Sequence, residues 1–352
     1  MKLLTKLSLT IITLFLLNCS TEKEKKLLLN GTVINTDTKS IMLIKLNQDV
    51  RFDSIIEIPV INGKFNYKKT LKNPEVVTLA FTESVKRGSY KAMPLFLEND
   101  EINLTIYSEK EFDKNIVDGG DLNALFKNYE EQIDSIFNGK DFIKRLNWEQ
   151  EYYISQNPNL VSYYLFLDQL IYFKENINLN LAKKNYEKLS KTNPNHPYNE
   201  LALNLITAID NIKEGKKYTD FSAPDLNGNE VKLSDKINGK IALLDLWATW
   251  CGPCIAKSRT MIPLYNDYKD KGFTIVGVAG EFKNTDRLVK FLDKEKWAWL
   301  NLVELDRQNA IWEKYDVAGG GGGTFLIDKK GIILAKNPTS EEVKKELESR
   351  LN

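Results

Sequence analysis

The sequence predicts an α/β domain at the C-terminal end, preceded by a small all-β sandwich or barrel domain and a helical region. The chain has 352 residues, which is enough for two or three domains of ordinary size. Its hydrophobic residues (42%) and charged residues (28%) are typical of globular proteins. The hydrophobic pattern changes character twice along the chain. We therefore expect an all-β domain in residues 27–120, a helical region in 121–216 and an α/β domain in 217–352.

Short apolar runs separated by turn residues predict the strands of the first region. Asn62-Gly63 lies between two of these runs and is typical of a hairpin turn. Residues 102–106 alternate apolar and polar side chains along a last strand. We expect an antiparallel sandwich or barrel without a cluster of ligands or nucleophiles, and therefore a binding or positioning role. The other predicted strands include 27–34, 40–46, 54–60 and 75–83.

Two apolar faces recur at helical spacing in the second region, and prolines separate the helices. Aromatic side chains at this spacing are more often core than a ligand groove, so we interpret both faces as packing surfaces. His196 lies in Asn-Pro-Asn-His-Pro, and we expect it to be a solvated loop residue. The two faces comprise Leu122, Leu125, Phe126, Tyr129 and Ile133, and Tyr163, Phe166, Leu167 and Leu170.

The third region alternates strands and helices, which is the pattern of an α/β domain. Residues 241–247 (IALLDLW) form a nearly continuous apolar run, as expected for a strand that is covered on both faces. The remaining predicted elements are a helix at 253–269, a strand at 273–278, helices near 285–294 and 308–315, strands at 324–328 and 332–335, and a terminal helix at 341–351.

The first twenty residues are typical of an export signal. Lysines precede an apolar run at 7–17, which has the length of a signal-peptide core and is too short to span a bilayer. The run ends in Leu-Leu-Asn-Cys-Ser, which resembles the lipobox of bacterial lipoproteins. This resemblance implies a signal peptide in 1–18, a lipid on Cys19 and a polar tether in 19–26. We expect a periplasm-facing lipoprotein of the inner or outer membrane, with a plain secretory signal or an uncleaved anchor as the alternative.

Composition excludes several classes of function. Lys and Arg number 49 against 48 Asp and Glu, and this balance offers no electrostatic footprint for nucleic acid, for which a basic stripe would be expected. A single histidine argues against a His-based triad or a His-rich metal site. No flavin or nicotinamide motif is visible, and no Gly-Lys-Ser/Thr follows the glycine run at 319–323. We therefore expect no metal, no nucleic acid and no bound organic cofactor.

Two of the three cysteines form a Cys-x-x-Cys motif, Cys251-Gly252-Pro253-Cys254, between a predicted strand and helix. Side chains three apart on a first helical turn are close enough for a disulfide after a modest adjustment. The helix N-terminus stabilises a thiolate on Cys251, whereas Cys254 should be more buried and suited to resolving a mixed disulfide. A half zinc site and a purely structural bridge are the alternatives. The motif therefore predicts thiol–disulfide exchange through a redox-active Cys251–Cys254 disulfide.

The motif and its surroundings resemble the thioredoxin family, and closely its exported TlpA/ResA-like oxidoreductases. The runs LDLWATWCGPC (244–254), FSAPDLNG (221–228) and FLIDKKG (325–331) carry the resemblance. It covers residues 218–352 and implies a thioredoxin fold there. The layout of residues 27–215 is similar to the β domain and helical linker that precede such folds in Bacteroidota-type lipoproteins.

The resemblance also implies roles for individual residues. Asp245 takes the position of the buried acid that exchanges a proton with the resolving cysteine, and burial should raise its pKa. A satisfied structural aspartate is the alternative. Trp247 and Trp250 resemble the aromatic wall of the family, partly packing and partly client surface. The remaining predicted client contacts are Gly252, Pro253, Gly321, Gly322, Gly323 and Thr324.

Three features depart from the family pattern. The glycine run at 319–323 stands where the family has a cis-proline, and a mobile loop with trans peptide bonds is expected. Lys257 stands where many relatives carry Glu, and Arg259 where the thioredoxin helix has Pro. We expect both to be solvated helix residues, with added positive charge at the site as the alternative.

These features together predict an envelope-anchored thiol:disulfide oxidoreductase. Gly-Pro between the cysteines resembles the reducing thioredoxins, so we expect it to reduce protein disulfides. Its partners would be protein disulfide or dithiol clients, a membrane electron-relay protein and the membrane itself through the lipid on Cys19. The alternatives are a binding or assembly lipoprotein in which the β domain dominates, and a peroxidase of the related peroxiredoxin group. The peroxidase is disfavoured because Cys251 lacks a Pro-x-x-x-Thr-x-x-Cys context.

Overall fold

The computed structural model describes residues 25–50, 53–317 and 322–351. The predicted signal peptide, the lipidation residue Cys19 and the predicted client contact Gly321 lie outside these ranges. In the ranges that are described, no helix combines the length and the apolar character needed to cross a bilayer. The described chain forms three consecutive regions, each of which supplies most of the residues of at least one apolar cluster.

The N-terminal region is a sandwich of two four-stranded sheets. Its strands are β1 (Leu27–Ile34), β2 (Ser40–Lys45), β3 (Ile56–Pro59), β4 (Lys64–Lys69), β5 (Glu75–Phe81), β6 (Met93–Leu97), β7 (Glu101–Tyr107) and β8 (Ile116–Asp118), with a short helix α1 (Thr82–Arg87) and a 3-10 helix (Glu109–Lys114). One sheet has the order β4-β1-β7-β8 and the other β3-β2-β5-β6. Apolar side chains from both sheets form a single buried cluster, as in a face-to-face sandwich.

The sandwich confirms an all-β domain, but its pairing differs from the expected antiparallel pattern. β1 and β7 are parallel, with Leu29 opposite Ile102, because the chain visits the second sheet between them. Asn62 and Gly63 form a turn with positive φ angles of 52° and 71°. This turn leads from β3 in one sheet to β4 in the other, so it connects the two sheets. The predicted strand at 75–83 ends earlier, because α1 begins at its last residues.

The second region is helical. Its elements are α2 (Asp121–Phe137), α3 (Phe142–Trp148), a π-helical turn (Glu149–Tyr153), α4 (Ile154–Gln156), α5 (Leu160–Tyr172), a 3-10 turn (Lys174–Asn176), α6 (Leu179–Thr192) and α7 (Tyr198–Asn211). The two predicted apolar faces lie on α2 and α5 and share one buried cluster. They are packing surfaces, as the spacing indicates.

His196 is a buried residue, and the expectation that it is solvated is wrong. Only 7% of its surface is exposed. Its Nε2 lies 2.9 Å from the carbonyl oxygen of Pro74, and its Nδ1 accepts a hydrogen bond from the Tyr198 N–H at 3.2 Å. The Tyr198 hydroxyl accepts a hydrogen bond from the Val76 N–H. The histidine is buried because it joins the start of α7 to β5 of the sandwich.

The C-terminal region is an α/β domain. Its elements are β9 (Ser222–Pro224), β10 (Glu230–Lys232), α8 (Leu233–Ile237), β11 (Ile241–Trp247), α9 (Gly252–Tyr268), a 3-10 turn (Lys269–Lys271), β12 (Phe273–Glu281), α10 (Asp286–Glu295), β13 (Leu300–Leu305), α11 (Ile311–Lys314), β14 (Gly323–Ile327), β15 (Ile333–Lys336) and α12 (Ser340–Leu351). Five strands form a sheet with the order β13-β12-β11-β14-β15. β11, β12 and β13 are parallel, whereas β14 and β15 are antiparallel to their neighbours. β11 is central and every one of its residues is buried, as its apolar run predicts.

Contacts between the regions converge on the loops that follow β13. Lys174 of the helical region forms an ion pair with Asp316 (Nζ–Oδ1 3.0 Å). Asp49 of the sandwich forms another with Arg307 (Oδ2–Nη2 3.4 Å). Arg307 lines a small cavity together with Trp250, the residue before the Cys-x-x-Cys motif. The sandwich therefore reaches the same end of the α/β sheet as the motif.

Candidate active site

The Cys-x-x-Cys motif lies where β11 ends and α9 begins, at the carboxyl end of the parallel strands. Cys251 is the N-cap residue of α9. Its backbone is extended (φ −95°, ψ 90°), and its Sγ accepts a hydrogen bond from the Cys254 N–H at 3.3 Å. Pro253 lies in the first turn, where its missing N–H removes no intrahelical bond. The N-terminus of a 17-residue helix is thus directed at the first cysteine.

Cys251 and Cys254 form a disulfide with their Cα atoms 5.3 Å apart. Cys251 is 5% exposed, whereas Cys254 is only half-buried. The expectation that the second cysteine is the more buried one is therefore wrong. The Cys251 side chain packs into the apolar cluster on one face of the sheet, while Cys254 lies at the edge of that cluster. Gly252 and Pro253 between them are exposed.

The two tryptophans near the motif occupy different environments. Trp250 is half-buried, its indole N–H donates to the Gly280 carbonyl at 2.9 Å, and its ring stacks on Phe282 with centroids 5.5 Å apart. Trp247 is completely buried, and its indole N–H donates to Asn301 Oδ1 at 3.1 Å. The prediction that Trp247 contributes to a client surface is therefore wrong. A side chain inside the core packs and cannot contact a client.

Gly322 lies against the disulfide. Its φ is +115°, and a Cβ there would approach the Leu246 carbonyl oxygen to 2.2 Å and Cys254 Sγ to 3.1 Å, so glycine is required. Gly323 and Thr324 are buried residues of β14 that pair with β11. These two predicted client contacts therefore face the interior, and Gly322 alone of the three is partly exposed. All peptide bonds of the described residues are trans.

Asp245 is the buried acid beneath the motif. It is 2% exposed, and its Oδ2 accepts a hydrogen bond from the Ser258 hydroxyl at 2.6 Å. Burial raises the pKa of Asp245 to about 6, although the Ser258 hydrogen bond and the positive charge of Lys257 oppose the rise. Ser258 was not among the site residues predicted from the sequence. Its position four residues after Cys254, one turn along the same helix face, is the signal that points to it.

The two basic residues of α9 differ in their surroundings. Arg259 is exposed and forms two hydrogen bonds to the Glu295 carboxylate at 2.9 and 2.6 Å, as expected of a solvated helix residue. Lys257 is half-buried, and burial lowers its pKa, while the negative charges of Asp245 and Glu342 oppose that shift. The alternative expectation, added positive charge at the site, therefore applies to Lys257, whose charge favours the ionised form of Asp245.

Two further buried acids lie at the carboxyl ends of β12 and β13. Glu281 accepts hydrogen bonds from the N–H and the hydroxyl of Thr249 at 2.7 and 2.8 Å, which fixes the loop before the motif. Glu304 lines the small cavity beside Trp250 and Trp312. Burial raises the pKa of Glu304 to about 7, even though two backbone N–H groups donate to it. Neither acid was predicted from the sequence, because a single Glu near the end of a strand carries no distinguishing signal.

The Cys251–Cys254 disulfide can be reduced and re-oxidised. Asp245 can gain and lose a proton near neutral pH, because its pKa is raised to about 6. In the part of the chain that the structure describes, no three or more His, Cys, Asp or Glu side chains are grouped so that they could hold a metal ion. The arrangement is suited to thiol–disulfide exchange coupled to proton transfer.

Comparisons with known proteins lead to the same chemistry. The AhpC/TSA family model matches residues 215–336, and the model of a domain of unknown function, DUF4369, matches residues 27–126. The thiol-disulfide oxidoreductase ResA of Geobacillus kaustophilus is 36% identical over 150 residues, which are 42% of this chain and 83% of that protein. The chain belongs to the ResA family of thiol-disulfide oxidoreductases.

Further similar proteins extend this ResA-type comparison. ResA of Bacillus anthracis is 34% identical over 137 residues, which are 39% of this chain and 76% of that protein. The thioredoxin-like protein YneN of Bacillus subtilis is 32% identical over 142 residues, or 40% and 80% of the two chains. The crystal structure of the thioredoxin domain of a Bacteroides vulgatus thiol-disulfide oxidoreductase is 30% identical and aligns with 40% of this chain and 99% of that chain, with a TM-score of 0.36.

Membership of the ResA family confirms the predicted fold class and enzyme class. The chain is a thiol-disulfide oxidoreductase with a thioredoxin-like C-terminal domain and an N-terminal all-β domain. Within this ResA-type domain, two neighbouring residues of α9 act on the buried acid Asp245. Lys257 is half-buried near Asp245, and Ser258 donates its hydroxyl proton to it.

Proposed function

We propose that this protein is an envelope-anchored thiol:disulfide oxidoreductase that reduces disulfides in protein clients. The observation that carries the proposal is the position of Cys251, which is the N-cap of α9 and is disulfide-bonded to Cys254. In the reduced state, the unpaired N–H groups and the dipole of the helix lower the pKa of a cysteine at this position. A thiolate is the form that attacks a disulfide.

The proposed cycle begins with the reduced protein. The Cys251 thiolate attacks one sulfur of a client disulfide, a Cys251–client bond forms, and the other client sulfur leaves as a thiolate. Cys254 then attacks the Cys251 sulfur, closes the intramolecular disulfide and releases the second client thiolate. Two electrons pass from the cysteine pair to the client. A dithiol of a membrane electron-relay partner returns them and is itself oxidised to a disulfide.

Asp245 is the proposed base for the resolving step. Its burial raises its pKa to about 6, which makes the carboxylate a better base than an exposed aspartate while it is still largely ionised near neutrality. It takes the proton of Cys254 and returns it to solvent or to the released client thiolate. The neutral acid is tolerated in this buried place, because burial disfavours the charged form.

Clients are proposed to bind at the exposed rim of the disulfide. Gly252 and Pro253 are exposed, and Trp250 and Gly322 are half-buried beside them. Because Gly322 has no side chain, an extended client segment can approach its backbone closely. Gly321 remains a predicted contact outside the described residues.

The envelope location and the lipid anchor are part of the proposal. They depend on the signal-peptide pattern and on the lipobox resemblance that ends at Cys19. Fractionation of cells that express the full chain checks them. The wild type is expected with the membranes and Cys19→Ala in the soluble fraction of the envelope, and recovery of both in the soluble fraction would contradict the anchor.

Reduction of insulin with dithiothreitol as the electron source tests the activity. The wild type is expected to accelerate reduction, and Cys251→Ser to fall to the uncatalysed rate. Cys19→Ala is the matched control, because it removes a cysteine outside the motif, and it should retain the full rate. Cys254→Ser should accumulate mixed disulfides with clients. A wild type without activity would overturn the proposal and favour the binding or assembly lipoprotein in which the β domain dominates.

The match to the AhpC/TSA family favours peroxide reduction as a second candidate. In that reaction Cys251 would be oxidised to a sulfenic acid while the peroxide is reduced to water, and Cys254 would close the disulfide with release of a second water. The sequence before Cys251 lacks the context expected of a peroxidase nucleophile. Hydrogen peroxide consumption measured with the same reductant decides between the two, since the proposed reductase should reduce insulin and leave peroxide unchanged.

A further inference from the structure

Ser258 links the buried acid to the helix that carries the cysteines. Its Oγ lies 2.6 Å from Asp245 Oδ2 and 3.0 Å from the carbonyl oxygen of Cys254. Ser258 is 1% exposed and Asp245 is 2% exposed. Both contacts are therefore made inside the protein, where an unpaired polar group carries a high free-energy cost.

The hydroxyl cannot donate to both oxygens at once, because it carries a single proton. When Asp245 is ionised, donation to the carboxylate is the stronger of the two hydrogen bonds. When Asp245 is protonated, its O–H can donate to Ser258 Oγ, and the serine proton can turn to the carbonyl oxygen of Cys254. One serine therefore provides a hydrogen-bond partner for the acid in both of its charge states.

The other groups that face Asp245 act differently. The residues paired with it on β12 and β14 are Gly277 and Thr324, and neither of them titrates. On α9, Lys257 favours the ionised acid through its positive charge, and that charge is shared with Glu342 of α12. A fixed charge stabilises one protonation state only. Ser258 differs because its proton can be redirected.

We infer that Ser258 is a positioning residue for proton transfer in the resolving step, and that its hydroxyl turns between Asp245 and the Cys254 carbonyl as Asp245 gains and loses a proton. The inference rests on the proposed function, in which Asp245 is the base for Cys254. During the step the S–H bond of Cys254 breaks and its proton passes to the Asp245 carboxylate. The Cys254 sulfur then bonds to Cys251, and the client thiolate leaves with the electron pair of the broken S–S bond. Ser258 undergoes no net change in protonation.

The test uses the full chain in its reduced form and an aromatic disulfide whose two coloured thiolates leave in successive steps. The first release reports attack by Cys251, and the second reports resolution by Cys254. In the wild type, the rate of the second release should rise with pH at the pKa of Asp245. Ser258→Ala should move this rise upward by about one pH unit, because the ionised acid loses a donor. At pH values below this rise, the second release in Ser258→Ala should be about tenfold slower than in the wild type, whereas the rate of the first release should be unchanged.

Two variants control for this result. Ser258→Thr keeps a hydroxyl at the same position and should return the rise to its wild-type pH. Thr260→Ala removes a hydroxyl that donates to the Lys257 carbonyl on the same helix, and it should leave both releases unchanged. The midpoint of thermal unfolding verifies that each variant is folded at the temperature of the assay.

The outcomes separate this inference from the proposed function. If Asp245→Asn removes the rise but Ser258→Ala does not move it, the inference is overturned and the proposed function stands. If Ser258→Ala slows the second release equally at every pH, the serine has only a structural role and the inference is again overturned. If Asp245→Asn keeps the rise, Asp245 is not the base and the inference falls with that role. If Cys251→Ser reduces insulin as fast as the wild type, Cys251 is not the nucleophile and the proposed function itself fails.

Discussion

Two buried carboxyl groups, Glu149 in the helical region and Asp245 in the α/β domain, are equally hidden from solvent but are held in different ways. Each is 2% exposed. Glu149 accepts hydrogen bonds from the Tyr129 hydroxyl and from Gln169 Nε2 (2.6 Å), and its Oε1 lies 3.1 Å from Arg145 Nε. Asp245 has one close side-chain donor, at 2.6 Å. Both acids are buried, yet one is fixed by three partners and the other by a hydroxyl that can turn.

The difference shows how the same burial can serve structure or chemistry. Burial raises the pKa of both groups. At Glu149, hydrogen bonds from two sides and a cation oppose the rise and fix the carboxylate in one orientation. A carboxylate held in this way is costly to remove, because its partners are left unpaired. Asp245 at the active site has a pKa of about 6, so it can be protonated at a pH close to neutral.

The largest effect expected from this comparison is on stability. Glu149→Ala should lower the free energy of unfolding by about 3 kcal/mol, because it leaves two buried polar side chains and a partly exposed cation without their acceptor. Urea denaturation followed by circular dichroism measures the loss. The folded variant should reduce insulin at the wild-type rate, since Glu149 belongs to the helical region.

Glu151→Ala is the matched control for this prediction. Glu151 is exposed on the same π-helical turn, so its removal should change the free energy of unfolding by about 0.5 kcal/mol or less. A similar small change for Glu149→Ala would mean that its three partners are easily satisfied in other ways. The contrast between the two acids would then be lost.

Features with local signals were predicted well from the sequence. The Cys-x-x-Cys motif, the apolar strand before it and the helix after it depend on neighbouring residues and on spacing along the chain. The parallel pairing of β1 with β7 depends on contact between distant segments, which local periodicity does not report. The strand Leu300–Leu305 was missed for a related reason, because its place at the edge of the sheet is defined by pairing with β12.

The site was predicted in outline, and the errors concern orientation. Asp245 and Trp247 are two apart on a strand and so lie on the same face, but the sequence does not show that α9 covers that face. Because that face is buried, Trp247 is a packing residue and the pKa of Asp245 is raised. Ser258 was missed because a helical serine is ordinarily exposed. Only its contact with the acid distinguishes it from other serines.

The second effect concerns the pH dependence of stability. The pKa of Asp245 is raised from 3.8 to about 6, so the folded protein binds a proton more tightly than the unfolded chain. Stability therefore falls as pH rises from about 4 to about 6, and the cost of the buried charge is fully present above that range. Asp245→Asn removes this cost. The shift corresponds to about 3 kcal/mol near pH 8, and the oxidised variant should recover about 2 kcal/mol of it, because the amide is a weaker acceptor for the Ser258 hydroxyl than the carboxylate.

Thermal unfolding across a pH series checks this sign. The curves of wild type and Asp245→Asn should converge near pH 4, where the wild-type acid is already neutral in the folded protein. A constant difference at all pH values would instead indicate that the amide changes packing and that the charge carries no penalty. The same variant should resolve mixed disulfides slowly, so the gain in stability is accompanied by a loss of activity.

The smallest effect is expected for an ion pair on the surface of the active-site helix. Arg259 and Glu295 form a bidentate pair, but the Arg259 side chain is 53% exposed. Water and salt screen such a pair, so Arg259→Ala should lower the free energy of unfolding by about 0.5 kcal/mol or less. The pH profile of resolution should not change, because the guanidinium is already paired with Glu295. A loss of more than about 1.5 kcal/mol in the free energy of unfolding would show that good geometry makes an exposed ion pair strong. Burial would then not explain why Glu149 contributes more to stability than the surface pairs do.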